Sequence, residues 1–100
     1  MGRRIFITRN MHSFINLNSK KRVSEDIKYL LITALDLLNK RPELYEECKF
    51  VWETARPINI PKELAERVEK TKPENMPLSK HINNLIQTLL YNTHFVLENW

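Results

Sequence analysis

PELYEECKFVWETARP, residues 42–57, decides how the chain reads as a fold. Pro42 suits a first helical position, where its missing N–H costs nothing. Leu44, Cys48, Val51, Trp52 and Ala55 then recur along one stripe, and Glu43, Glu46, Glu47, Lys49 and Glu53 take the other side. Arg56-Pro57 closes the pattern, because a residue ahead of proline is pushed out of the α region. Read this way, the stretch is one of three long helices of a helical body.

The flanking segments extend that reading. Upstream, Ile27, Leu30, Leu31, Ala34, Leu35 and Leu38 recur at i, i+3, i+4 spacing and predict a helix from Ser24. The Ser24 hydroxyl precedes Glu25 and Asp26, which suit the positive end of the helix dipole. Leu37 widens the stripe, while Tyr29 and Ile32 fall on the far side. Downstream, Pro61 opens a short predicted helix from Lys62 to about Thr71, with Leu64, Ala65 and Val68 as its core positions. TKPENMP, residues 71–77, reads as a connector punctuated by two prolines. The last helix runs from about Leu78 toward the C-terminus on a stripe of Leu78, Ile82, Leu85, Ile86, Leu89, Leu90, Val96, Leu97 and Trp100. Ahead of these helices, Ile5–Thr8 and then Phe14, Ile15 and Leu17 favour extended strands turning near residues 10–12.

Short connections between amphipathic helices imply antiparallel neighbours. The expected fold is an all-α compact bundle of three long helices plus one short helix over residues 24–100. A basic, partly extended N-terminal arm occupies residues 1–23. Composition agrees: 100 residues suit one domain, and 42% hydrophobic with 28% charged residues is ordinary for a globular chain. The single glycine, Gly2, argues against tight hairpins and phosphate-cradling loops. The single cysteine, Cys48, has no internal disulfide partner, which points to a reducing, cytoplasmic setting. No apolar run approaches the ~20 residues that span a bilayer, so no membrane partner is expected.

Charge carries the functional signal. Residues 1–22 hold Arg3, Arg4, Arg9, Lys20, Lys21 and Arg22 and no acid, a local charge of +6. The remaining residues hold 10 basic and 12 acidic side chains, a charge of −2. An acid-free cluster of this kind attracts anions, and its arginines can fork onto phosphate oxygens. Phe6, His12 and Phe14 are interleaved where they could stack on bases. The six cations are therefore the candidate nucleic-acid-binding residues, for RNA or DNA.

The last helix holds the second anomaly. Residues 81–97 contain no Asp, Glu, Lys or Arg. Opposite the apolar stripe stand Asn83, Asn84, Gln87, Thr88, Tyr91 and Asn92, with Phe95 one turn beyond Tyr91. Exposed helix faces are ordinarily charged. Asn84, Gln87, Thr88, Tyr91 and Phe95 are therefore the candidate interface for another subunit or a second copy of the chain. Burial of this face inside the bundle is the competing reading.

Catalysis finds little support. His81 and His94 lie 13 positions apart, on different faces of one helix, and Cys48 sits on an apolar stripe. HExxH, CxxC and paired-carboxylate motifs are absent, so no cofactor or metal is expected. A pocket near His81, His94 or Cys48 would revive the enzyme reading. Residues 59–70, NIPKELAERVEK, resemble the first helix of a helix-turn-helix, but the tight turn that should follow is missing. The expected function is a non-catalytic nucleic-acid-binding accessory subunit of a larger assembly, gripping phosphates with the arm and docking through the last helix. The alternative is a protein–protein adaptor whose arm binds an acidic partner.

Overall fold

The structure, a computed structural model, describes residues 2–18 and 22–92. In chain order the elements are β1 (Gly2–Ile7), α1 (Arg9–Asn18), α2 (Val23–Lys40), β2 (Arg56–Pro61), α3 (Lys62–Thr71) and α4 (Leu78–Tyr91). Single 3-10 turns lie at Pro42–Leu44 and Trp52–Thr54.

The architecture is mixed rather than all-α. β1 and β2 pair antiparallel, with Gly2 opposite Pro61, Ile5 opposite Ile58 and Ile7 opposite Arg56. Alternation along β1 turns Ile5 and Ile7 into the core, where Ile60 of β2 joins them. The stretch expected as an appended arm is thus part of the fold. It supplies Ile5, Ile7, Met11 and Ile15 to one core cluster shared with α2, α3 and α4.

Three expectations are corrected. Residues 42–56 do not form a helix. Pro42 opens only one 3-10 turn, and the chain then runs without regular secondary structure until the turn at Trp52. The run from Tyr45 to Thr54 is rich in aromatic and β-branched residues of middling helix propensity, and α4 offers its backbone hydrogen-bond partners, described below. The strand over Ile5–Ile7 exists, but its partner is β2, about fifty residues away, rather than residues 14–17. Those residues belong instead to α1. The Thr8 hydroxyl accepts the backbone N–H of Met11 at 3.2 Å, an N-cap bond, and Met11 and Ile15 bury one stripe at i, i+4 spacing.

The other helices follow the periodicity. α2 buries Ile27, Leu30, Leu31, Ala34, Leu35 and Leu37, and α3 buries Leu64, Ala65 and Val68. α2 begins one residue earlier than Ser24, with Arg22 at the cap position and no side-chain capping bond. In the connector between α3 and α4, Asn75 takes φ 65°, a left-handed conformation that asparagine tolerates. α4 is described as far as Tyr91, and the expected continuation through Val96, Leu97 and Trp100 lies outside the described residues.

Candidate functional site

The uncharged face of α4 holds backbone on two flanks. On one flank, Ser79 and Asn83 complete the free edge of β1. The Ser79 hydroxyl accepts the Phe6 N–H at 3.0 Å, and the Asn83 carbonyl accepts the Thr8 N–H at 2.9 Å. The Asn83 amide donates back to the Phe6 carbonyl at 2.9 Å. On the other flank, the Asn84 carbonyl accepts the Cys48 N–H and the Thr88 hydroxyl accepts the Glu46 N–H, each at 2.7 Å. Gln87 donates to the Glu47 carbonyl at 3.4 Å. Asn83, Asn84 and Thr88 are fully buried. An amide or hydroxyl can satisfy a neighbouring backbone group where a charged side chain would be expensive to bury. This accounts for the absence of charge from residue 81 to the end of the described helix.

The five interface candidates consequently fall apart. Asn84 and Thr88 face inward and are engaged within the chain. Gln87 is half-buried, Tyr91 is 68% exposed, and Phe95 lies outside the described residues.

The six cation candidates also separate. Arg3 and Arg4 are neighbours on a strand and point to opposite faces. Arg3 pairs with Glu69 of α3 at 2.8 Å. Arg4 is exposed on the outer face of the sheet, in register with Asn59. Arg9 opens α1 just past the end of β1, and Arg22 precedes α2; both are exposed. Lys20 and Lys21 lie outside the described residues. Among the described residues, Arg4, Arg9 and Arg22 have no ion-pair partner.

The outer sheet face adds groups that the sequence reading missed. Phe6 shares that face with Arg4 and meets Trp52 edge to face, with ring centroids 5.6 Å apart. Phe50 meets the same indole at 4.8 Å, nearly perpendicular. Trp52, which joins the two phenyl rings, is 51% exposed. Arg56 sits at the start of β2 opposite Ile7, and its charge, after burial, depresses the pKa of His12. His12 is one turn along α1 from Arg9. Arg4 and Arg9 thus bring positive charge to a strand pair covered by aromatics, with Glu53 in the turn as the nearby acid in sequence, whereas Arg56, directly opposite the core-facing Ile7, belongs by register to the other face with Arg3. The available signal was the period-two spacing of Phe50 and Trp52, and of Ile58 and Ile60 between two prolines, which marks extended chain rather than helix.

A separate cleft of about 720 Å³ opens between α2, α3 and α4. Its wall includes Leu35, Leu38, Pro42 and Leu85, and its polar groups include Tyr45, Thr71 and His81. His81 is buried and bonded at both ring nitrogens, to the Tyr45 hydroxyl at 2.8 Å and the Thr71 hydroxyl at 2.9 Å. Thr71 donates to the Val68 carbonyl at 2.8 Å, so it accepts from a His81 Nε2–H. With the imidazole proton on Nε2, Nδ1 accepts from the Tyr45 hydroxyl, which itself accepts from Asn84 at 2.9 Å and has Met76 Sδ as a longer second neighbour at 3.5 Å. All partners are satisfied by a neutral imidazole in the Nε2–H tautomer. Burial, then the nearby Lys72 charge, pushes the His81 pKa down to about 4, which agrees. Burial raises the Tyr45 phenol and the Cys48 thiol, so neither is poised as a nucleophile at neutral pH.

Among the described residues, no three His, Cys, Asp or Glu side chains gather as a metal site, and no helix is long and apolar enough to cross a membrane. Comparison with family models, curated proteins and solved structures finds no match to this chain.

Proposed function

We propose that this chain is a non-catalytic, cytoplasmic subunit that binds single-stranded nucleic acid on the outer face of its β1–β2 sheet. One observation carries the reading: the half-exposed Trp52 meets both Phe6 and Phe50 edge to face, on the face that holds Arg4, which has no ion-pair partner among the described residues. Stacking on aromatics requires bases with accessible faces, which favours a single strand over a duplex. Arg9, exposed just past the end of β1, extends the phosphate track. Two cations support only modest affinity, so a larger assembly supplies the rest through multivalency. Of the interface candidates on α4, Tyr91 is the outward position through which such docking would run.

The test is fluorescence anisotropy of a labelled 15-nucleotide single strand, as DNA and as RNA, against a duplex of equal length and against polyglutamate. Single strands should bind more tightly than duplex. Trp52→Ala should weaken them about fivefold or more, the effect of losing stacking worth ~1–3 kcal/mol per base. Absence of single-strand binding at low salt would sink the proposal. Equal competition by polyglutamate would favour the acidic-partner adaptor instead.

A further inference from the structure

We infer that the cleft between α2, α3 and α4 is a binding site for a small amphipathic organic anion, a carboxylate or phosphate on an apolar body. This inference is independent of the nucleic-acid reading. The volume, about 720 Å³, lies in the range of small-molecule sites. Leu35, Leu38 and Leu85 give the lining a continuous apolar component. Arg67 and Lys70 stand three residues apart on α3, hence on one face, and both line the cleft. Both are exposed, and neither has an ion-pair partner among the described residues.

Where the anion sits follows from the hydrogen bonds. The protons of the His81, Tyr45 and Thr71 network are all engaged within the chain, so it presents no free donor to a ligand. The cations on α3, with the Asn39 amide beside them in the lining, are the donors left for an anionic head, and the apolar lining receives the body. The Lys72 charge felt at His81 places a third cation close to this region. Asp36 also lines the cleft and acts against an anion. The same geometry therefore predicts opposite signs for two kinds of substitution.

The experiment is calorimetric titration of the full chain with decanoate, with decyltrimethylammonium as the cation of matched chain length and acetate as the bare head, each below any micelle-forming concentration. Backbone 1H–15N spectra locate the binding. Decanoate should bind saturably at one site and shift Lys70, Thr71 and Leu85, while the other two probes should not. Arg67→Gln and Lys70→Gln should each weaken decanoate about two- to fivefold, the range an exposed charge pair supports. Asp36→Asn should tighten it. These three positions are on exposed helix surface, and thermal melts verify that the variants fold. The inference is overturned by no saturable decanoate binding, by equal binding of the cationic probe, or by charge variants that leave decanoate affinity unchanged.

Discussion

The Asn84 side-chain carbonyl accepts the backbone N–H of Cys48 at 2.7 Å, and one helical turn later the Thr88 hydroxyl accepts the N–H of Glu46 at the same distance. Two residues along an extended chain advance about as far as one turn of helix, so the side chains of α4 match the alternate N–H groups of residues 46–48. α4 therefore stands in for a missing β-strand. Ser79 and Asn83 do the same for β1, whose second edge would otherwise expose unpaired backbone groups.

Removing a rung of this ladder should cost stability in proportion to the backbone group it orphans. Asn84→Ala leaves the Cys48 N–H buried without its acceptor and removes the donor to the Tyr45 hydroxyl. A loss of about 2–3 kcal/mol is expected from urea denaturation. Thr88→Val keeps the shape and loses one acceptor, for about 1–2 kcal/mol. Amide hydrogen exchange should accelerate at Glu46 and Cys48 in these variants. Unchanged protection there would show that the ladder does not hold the segment.

His81 should make stability depend on acid. Its folded-state pKa is pushed from 6.5 down to about 4, so between those values the unfolded chain binds the extra proton. The contribution of the neutral network is then complete above pH 6.5, falls as pH drops toward 4, and changes no further below 4. The span corresponds to up to about 3 kcal/mol. Subtracting the urea stability of His81→Gln from that of the parent at each pH isolates this contribution from the carboxylates. A difference that stays flat from pH 7 to pH 4 would contradict the neutral tautomer.

Legibility in the sequence followed how local each determinant was. α2, α3 and the described part of α4 were readable because their apolar stripes repeat every turn, and Leu64, Ala65 and Val68 were the only core positions α3 could offer. Residues 42–56 misled because Leu44, Cys48 and Val51 fit a helical stripe as well as an extended chain. What decided between them was tertiary: Asn84 and Thr88 lie some forty residues downstream. The sheet was hidden for the same reason, since Ile5 finds Ile58 rather than a neighbour. At the candidate interface, the basic composition of residues 3–9 was plain, but the division between Arg3 and Arg4 needed the strand and the position of Glu69. Trp52 was hidden by assigning it to a buried helical stripe.

The division between those two arginines gives the sharpest test of where nucleic acid would lie. Arg4 stands on the outer face with no ion-pair partner among the described residues, whereas Arg3 is held by Glu69 on the other. If Arg4 and Arg9 each neutralise one phosphate, the slope of log affinity against log salt should be about −1.4 for a single strand. Arg4→Gln should reduce that slope by about 0.7 and weaken binding at every salt concentration. Arg3→Gln, which breaks an exposed ion pair worth under about 1 kcal/mol to the fold, should leave both slope and affinity nearly unchanged. A grip by a diffuse basic arm would make the two substitutions equivalent. Equal losses from Arg3→Gln and Arg4→Gln would therefore move the binding surface off the outer sheet face, even if the chain binds nucleic acid well.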